Sequence, residues 1–567
     1  MLHRNTASKR WTFRAALLLV VSLAIAACGG GGSGGSEEDA DKAGDTTGDE
    51  NAGDPVAGGK ATIALEAETG NGWCLPEARL DIAGIQVARS IYDTLTVPDE
   101  TGSNFEPFLA ESVEPNADFT EWTIKIRDGV KFSDGSDLTA EVVKNNLDAY
   151  RGKYPTRHPD LFIFVFNNVK DTSVVDPLTV KVTMLKPWSS FPSQLFSSGR
   201  LGMMGQKQLD DVNGCAENLI GTGPFTMESR RLNSYDKLKK NPNYWRKDDK
   251  GNQLPYLDEI EFRPIPELQQ RANGLASGEI DLFNISSLTG SKQIKNLRKQ
   301  FKDGKINLTE SQDFAEVGNL MLNTSKPPFD NATAREAAAL AVKRKDANAI
   351  LGFGIPTLAN GPFAPGAVGY LKDSGYKTDD PEAAKKLVQQ YEQETGKKFE
   401  VVITAVQETE LLKQIDLTKQ YWEAVGIKVR VTTLDQSALI DKAVAGEFEA
   451  ITWRNYPGLH PDTLYVWWYG KGNPINFSRF DDPEVNRLLD EGRAEGDPAK
   501  QKQIYEDLNK RMNEQHYFIW TSWAMWDVPR AKELHQVVGA RPVGTDGSND
   551  YTGLALGFDP ALLWREK

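Results

Sequence analysis

The sequence is poor in the residues that do chemistry. It has five histidines in 567 residues: His3, His158, His460, His516 and His535. No two are four apart on a helix, and none lies in an H-E-x-x-H context. Its three cysteines form no Cys–His cluster of zinc-ligand spacing, so no metal is expected. There is no G-x-x-x-x-G-K-(S/T) phosphate loop, and no cofactor is expected either. Acidic residues are plentiful, 80 against 66 basic ones, but so many give accidental pairs, and no catalytic constellation stands out. We therefore expect a protein that is not an enzyme. The net charge of −14 argues against nucleic acid as a partner. Long hydrophobic runs are missing too. The apolar stretch at residues 15–27, broken by Ser22, has 13 residues, short of the about 20 that span a bilayer.

What is present begins with targeting. Arg4, Lys9, Arg10 and Arg14 precede that apolar stretch, as in a signal peptide. Residues 1–27 carry these four basic residues and no acidic one, so the rest of the chain stands at −18, four below −14. Residues 28–59 then read as a flexible Gly- and acid-rich tether with Lys42 its one basic residue. The G-x-S-x-G match at residues 31–35 has no strand before it and no helix after it, and is low complexity.

The body from about Lys60 is large enough for two or three domains. Its hydrophobic and aromatic contents, 39% and 9%, are ordinary for a globular protein. Cys74 and Cys215 remain once Cys28 is set aside. In an exported chain they either close one disulfide or stay separate thiols, and the sequence leaves both open.

Strand and helix signals alternate along the body. Trp122, Ile124 and Ile126 alternate with Thr123, Lys125 and Arg127, a half-buried strand. Asp128-Gly129 and Asp134-Gly135 are turn pairs, and Thr139 is placed to cap a helix. Residues 61–65 and 256–264 read as strands, and residues 269–282 as a helix. Asp380-Pro381, Asp482-Pro483 and Asp497-Pro498 each put an acceptor at N-cap and proline at N1. Gly396 and Gly426 sit where helices end. Strands at 401–404, 427–432 and 449–453 between such helices make an α/β sub-domain. Trp520, Trp523 and Trp526 recur at helical i, i+3 spacing and read as core.

The ordered motifs carry a family resemblance. Tyr92, Asp93 and Leu95, then Phe105, Pro107, Leu109, Ala110 and Ser112, then Trp122, Arg127, Gly129, Val130, Phe132, Asp134, Gly135, Leu138, Thr139 and Ala140 fit successive blocks. Gly221-Thr222-Gly223-Pro224-Phe225 and Asn241-Pro242-Asn243-Tyr244-Trp245 follow in order. Together they resemble the extracytoplasmic solute-binding proteins of ABC importers, family 5, the oligopeptide, dipeptide and nickel group. Ile25-Ala26-Ala27-Cys28 resembles the lipobox of bacterial lipoproteins, which implies a lipidated Cys28.

The resemblance implies an α/β fold of the periplasmic-binding-protein-like class II (cluster C) type, two lobes with a hinge plus an extra inserted domain. Lobe I is expected over 60–90, 192–312 and 527–567, the inserted domain over 91–191 and lobe II over 313–526. It implies a monomeric receptor, held to the membrane by lipid, that captures a solute and delivers it to ABC permease subunits with cytoplasmic ATPases. Oligopeptides lead among the ligands. Another small-solute receptor, an oligosaccharide one for example, and a surface signalling lipoprotein are the alternatives.

The ligand-binding candidates are Trp453, Arg454, Asn455 and Tyr456, at a strand end before a Pro/Gly turn, and Trp73 after the first strand. In peptide-binding members of the family, an aspartate of this segment takes the ligand's α-ammonium. Here Arg454-Asn455 stands in that place, and Asp462 lies past an apparent insertion. Arg454 either receives a ligand carboxylate or phosphate, or pairs with an acid across the cleft. Trp453 and Tyr456 either stack on a ligand or pack. Of Trp467 and Trp468, which point opposite ways in a strand, one at most faces the cleft.

Overall fold

The computed structural model describes residues 52–68, 72–99, 104–313, 315–455, 460–537, 553–555 and 557–567. Cys28, the signal segment, most of the tether and Tyr456 lie outside the described residues.

Three sheets organise the body. The largest is mixed and has eight strands. Lys60–Leu65 lies at its centre, parallel to both Glu259–Pro264 and Leu282–Phe283. The hairpin Phe225–Arg231 and Tyr235–Lys240 extends one side. Trp526–Arg530 closes the other, pairing with Ile285–Ser286 and Asn307–Ser311. The second sheet has six strands: Thr357–Leu358, Phe518–Trp523, Val317–Leu322, Ala450–Asn455, Glu400–Val406 and Lys428–Leu434, in that spatial order. The third is an antiparallel sheet of four strands, Ala110–Pro115, Glu121–Ile126, Thr179–Met184 and Val169–Asp176. The protein is thus a two-lobed α/β structure.

Among the described residues, the chain passes between the two larger sheets twice. It leaves Asn307–Ser311 for Val317–Leu322, and returns from Phe518–Trp523 to Trp526–Arg530. The two crossovers touch, since Ala524 N–H donates to the Glu316 carbonyl at 2.8 Å. Two adjacent single-chain links of this kind form a hinge.

Local chemistry explains the elements. Trp122, Ile124 and Ile126 are buried while Lys125 between them is exposed, the period-2 pattern of a one-sided sheet. Asp380, Asp482 and Asp497 each accept a backbone N–H at the start of helices Pro381–Thr395, Pro483–Ala494 and Pro498–Gln515. Thr139 does the same for Ala140–Tyr150. Gly396 ends its helix at φ 67°, in the left-handed region open to glycine. A Cβ at Gly223 would lie 2.5 Å from the Ile91 carbonyl carbon, so that strand start tolerates no side chain.

Two expectations change. The helix expected over residues 269–282 is Leu268–Ser277; Gly278 at φ 76° stops it, and the chain turns into strand Leu282–Phe283. Trp520, Trp523 and Trp526 are buried but lie in two strands, Phe518–Trp523 and Trp526–Arg530. Both strands are covered along most of their length, so their apolar residues follow no strict alternation and the i, i+3 spacing was accidental. Trp467 and Trp468 lie in the short helix Tyr465–Trp468 and in no strand, but one of the two faces the cleft, as expected: Trp468 is buried and Trp467 lines the cleft.

Cys74 and Cys215 form a disulfide with Cα atoms 5.2 Å apart, closing a sequence separation of 141.

Candidate functional site

A cleft of about 880 Å³ lies between the eight-stranded and six-stranded sheets. One wall comes from the end of strand Lys60–Leu65 and the residues after it, Glu66 and Asp81 among them. The other comes from Gly318, Asn319 and Leu320 and from Thr452–Asn455, on adjacent antiparallel strands.

Arg454 sits at the meeting point. Its guanidinium pairs with Glu66 of the opposite wall through both terminal nitrogens, and its Nε lies 3.4 Å from Glu316 Oε1. It also stands 6.0 Å from the Trp526 ring centroid. Glu66 follows the first strand, Glu316 belongs to a hinge crossover, and Arg454 ends a strand of the other lobe. One ionic cluster therefore spans both lobes and the hinge.

The charges adjust to burial. Burial pushes Glu316 up to about 7, and Arg454 opposes that shift without cancelling it. Burial acts on Glu66 in the same sense, but the charge and hydrogen bond of Arg454, helped by Arg271, hold it below the usual carboxylate range. Asp81 caps helix Ile82–Ile91 by accepting Gly84 N–H at 2.8 Å, and burial raises it to about 6. Arg200, beside it, is lowered by burial to about 10. At the rim Arg79 bridges Asp160 at 2.5 Å and Asp441 at 2.6 Å, so an exposed ion pair also joins the two walls.

The sequence candidates fall in different places. Arg454 and Asn455 line the cleft, and Asn455 is buried at the strand end. Trp453 lines it too, with Phe477 edge-on at 5.6 Å. Trp467 meets the same Phe477 at 5.6 Å, so the three rings form one aromatic wall. Trp73 is a correction. It does not line the cleft; its side chain is 1% exposed, with the Arg230 guanidinium 5.2 Å over its ring. Arg230 is itself fixed by Glu68 at 2.9 Å and Asp236 at 3.2 Å, and the neighbouring Cys74 is tied to Cys215. These bonds draw Trp73 inward.

Asp462 is also taken. It is wholly buried and accepts from Arg493 Nε at 2.7 Å and Trp188 Nε1 at 2.8 Å. It joins the segment after Trp453 to the chain that follows the four-stranded sheet, away from the ligand space. The sequence did not single out Glu66, Glu316 or Phe477. Glu66 had a faint signal, an acid just past the first strand. The other two had none, because their roles depend on contacts far along the chain.

Comparisons with known proteins agree with this architecture. The chain is 29% identical over 352 residues to the glutathione-binding protein GsiB of Salmonella paratyphi A, covering 62% of this chain and 65% of that protein, just short of two thirds of its length. It superposes with a TM-score of 0.77 on the periplasmic binding protein DppA of Helicobacter pylori in complex with peptide STSA, at 21% identity, covering 90% of this chain and 99% of that one. The oligopeptide-binding protein AppA of Bacillus subtilis, in complex with a nonapeptide, gives 0.77 at 18% identity, covering 91% and 100%. Residues 104–477 match the middle region of the bacterial extracellular solute-binding proteins, family 5. With two lobes, a double-stranded hinge and a cleft between them, the chain belongs to family 5 of the bacterial extracellular solute-binding proteins, a family of binding proteins and not of enzymes.

Proposed function

We propose that this chain is the substrate-binding lipoprotein of an ABC importer. It acts as a monomer anchored through a lipidated Cys28, captures a short peptide or peptide-like solute between its lobes, and presents it to a permease coupled to cytoplasmic ATPases. The observation that carries this reading is the cleft of about 880 Å³ walled by both lobes. It is within the size range of small-ligand sites, and a two-link hinge lets it open and close. Affinity that differs between open and closed states is all the task requires.

Peptide-like ligands are favoured by the ligands of the relatives: glutathione, a tetrapeptide and a nonapeptide. The Arg454 cluster bears on the ligand's charge. With Glu66 and Glu316 both against it, Arg454 is no empty socket for a carboxylate or phosphate. An anion there has to displace Glu66. A second reading, an oligosaccharide ligand, is favoured by the aromatic wall of Trp453, Phe477 and Trp467.

Native mass spectrometry of the full chain purified without refolding tests the ligand. A co-purified peptide mixture supports the first reading, and a single sugar supports the second. Metabolic labelling with a fatty-acid analogue tests the anchor. Label that persists in Cys28→Ser refutes it.

A further inference from the structure

Away from the cleft, the hinge holds a pair of buried carboxyl groups that solute binding does not use. Strand Asn307–Ser311 leads into the first crossover, and strand Trp526–Arg530 follows the second. The two strands pair antiparallel, and Glu310 stands directly opposite Asp527. Glu310 is 6% exposed and Asp527 0%.

We propose that Glu310 and Asp527 share a single proton, and that this proton ties together the two strands of the eight-stranded sheet that lead into and out of the hinge crossovers, so that the base of the hinge responds to pH.

The geometry leaves little alternative. Among the described residues, neither oxygen of Asp527 meets an N–H donor; the group that faces it across the strand pair is the Glu310 carboxyl. One cation serves both. Arg298, on helix Ser287–Lys302, donates its Nε to Glu310 Oε1 at 2.7 Å and a terminal nitrogen to Met525 Sδ at 3.2 Å. Met525 is itself in the second crossover, where its N–H donates to Ser287 Oγ at 2.7 Å. The strand on the other side of Asp527 presents Ile285 and Ser286, and its own neighbours are Trp526 and Val528. None of these titrates. Two ionised carboxylates with one guanidinium leave a net negative charge in a buried site, which is costly. One retained proton removes that charge and supplies an O–H···O⁻ bond, the strong type. Burial pushes Asp527 well above the carboxylate range, and the Glu310 carboxyl adds to it against the pull of Arg298.

The consequence has a definite sign. In the unfolded chain Asp527 ionises near its ordinary value, about 3.9. The folded chain keeps its proton to higher pH, so folding takes one up and stability falls as pH rises between the two values. When the folded state finally loses that proton, two like charges oppose each other across the hinge strands. The repulsion acts between two neighbouring strands of one sheet and loosens the base of the hinge.

The test uses the full chain, without ligand, from about pH 5 to about pH 9. Urea unfolding reads the folding constant, and amide hydrogen exchange reads the opening of strands Asn307–Ser311 and Trp526–Arg530. Asp527→Asn replaces the protonated acid with an amide whose N–H donates to Glu310. The wild-type folding constant is expected to fall with pH more steeply than the variant's, by about tenfold per unit, the effect of one proton. At high pH the amides of these two strands are expected to lose protection in the wild type and to keep it in the variant. Equal slopes, or equal protection of the two strands throughout, overturn the proposal. If Asp527→Asn does not fold, Glu310→Gln gives the same comparison, with the amide donating to an ionised Asp527 beside Arg298. A Glu310→Gln slope equal to that of wild type overturns it as well.

Discussion

Replacing Arg454 with methionine keeps the side-chain stem and removes the charge that holds Glu66 and Glu316 together. At an effective dielectric of about 20, a contact of about 3.4 Å between unit charges amounts to roughly 5 kcal/mol before desolvation. Desolvation takes back much of that, and measured losses on breaking a buried pair are about 3–5 kcal/mol. The Arg454 and Glu66 side chains keep 31% and 25% exposure, so the lower end applies. Glu316 softens the loss further. It already sits near 7 beside Arg454, so without Arg454 it takes up a proton at neutral pH instead of staying an unpaired anion. The expected loss at pH 7 is about 3 kcal/mol. Its pH dependence follows from Glu66, which Arg454 holds below its ordinary value. The stabilisation from a depressed carboxylate is present above its unfolded pKa, about 4.3, and is lost as pH falls through the folded one. The gap between wild type and Arg454→Met is thus expected to be full at pH 7 and to shrink toward pH about 4. Urea midpoints for both proteins at the two pH values measure it. A gap of the same size at both, or none at pH 7, refutes the account of this cluster.

Other perturbations separate the remaining claims. Removing the disulfide with Cys74→Ser and Cys215→Ser frees a loop with a sequence separation of 141; chain entropy puts the loss at about 5 kcal/mol, read as a lower denaturation midpoint. An unchanged midpoint refutes that contribution. Asp462→Ala strands Arg493 in a buried site between Trp188 and Tyr465, and a stability loss of about 3–5 kcal/mol is expected in thermal or urea unfolding. Trp453→Ala, in the aromatic wall, is expected to weaken ligand binding about tenfold by calorimetry while leaving the unfolding midpoint within about 1 kcal/mol; unchanged affinity removes Trp453 from the site. Gly223→Ala forces a methyl onto the Ile91 backbone, for an expected loss of about 1–3 kcal/mol in unfolding.

Much of the architecture is written in local sequence. The Asp-Pro pairs start their helices because an acceptor at N-cap and a proline at N1 act within one turn, whatever surrounds them. The alternation at Trp122, Ile124 and Ile126 sets which face of a strand is buried, again within a few residues. The strand end at Trp453–Asn455 was legible as a cleft edge for the same reason. Where local signals were ambiguous the sequence misled: the i, i+3 tryptophans obey a helical period by accident, and burial alone cannot separate a helix from a covered strand.

Tertiary structure decided the charges. Nothing near Arg454 in the sequence says that its partners are Glu66, 388 positions away, and Glu316. Nothing near Trp73 says that Arg230 covers it. Glu310 and Asp527 are ordinary acids until the two hinge strands set them opposite each other in the buried interior. The sequence by itself determined the elements, their order and the family, because capping, turns and periodicity act over a few residues. Which acids keep their protons, and which cations are left for a ligand, was decided by the fold alone, because ionisation answers to burial and to partners that only the folded chain brings together.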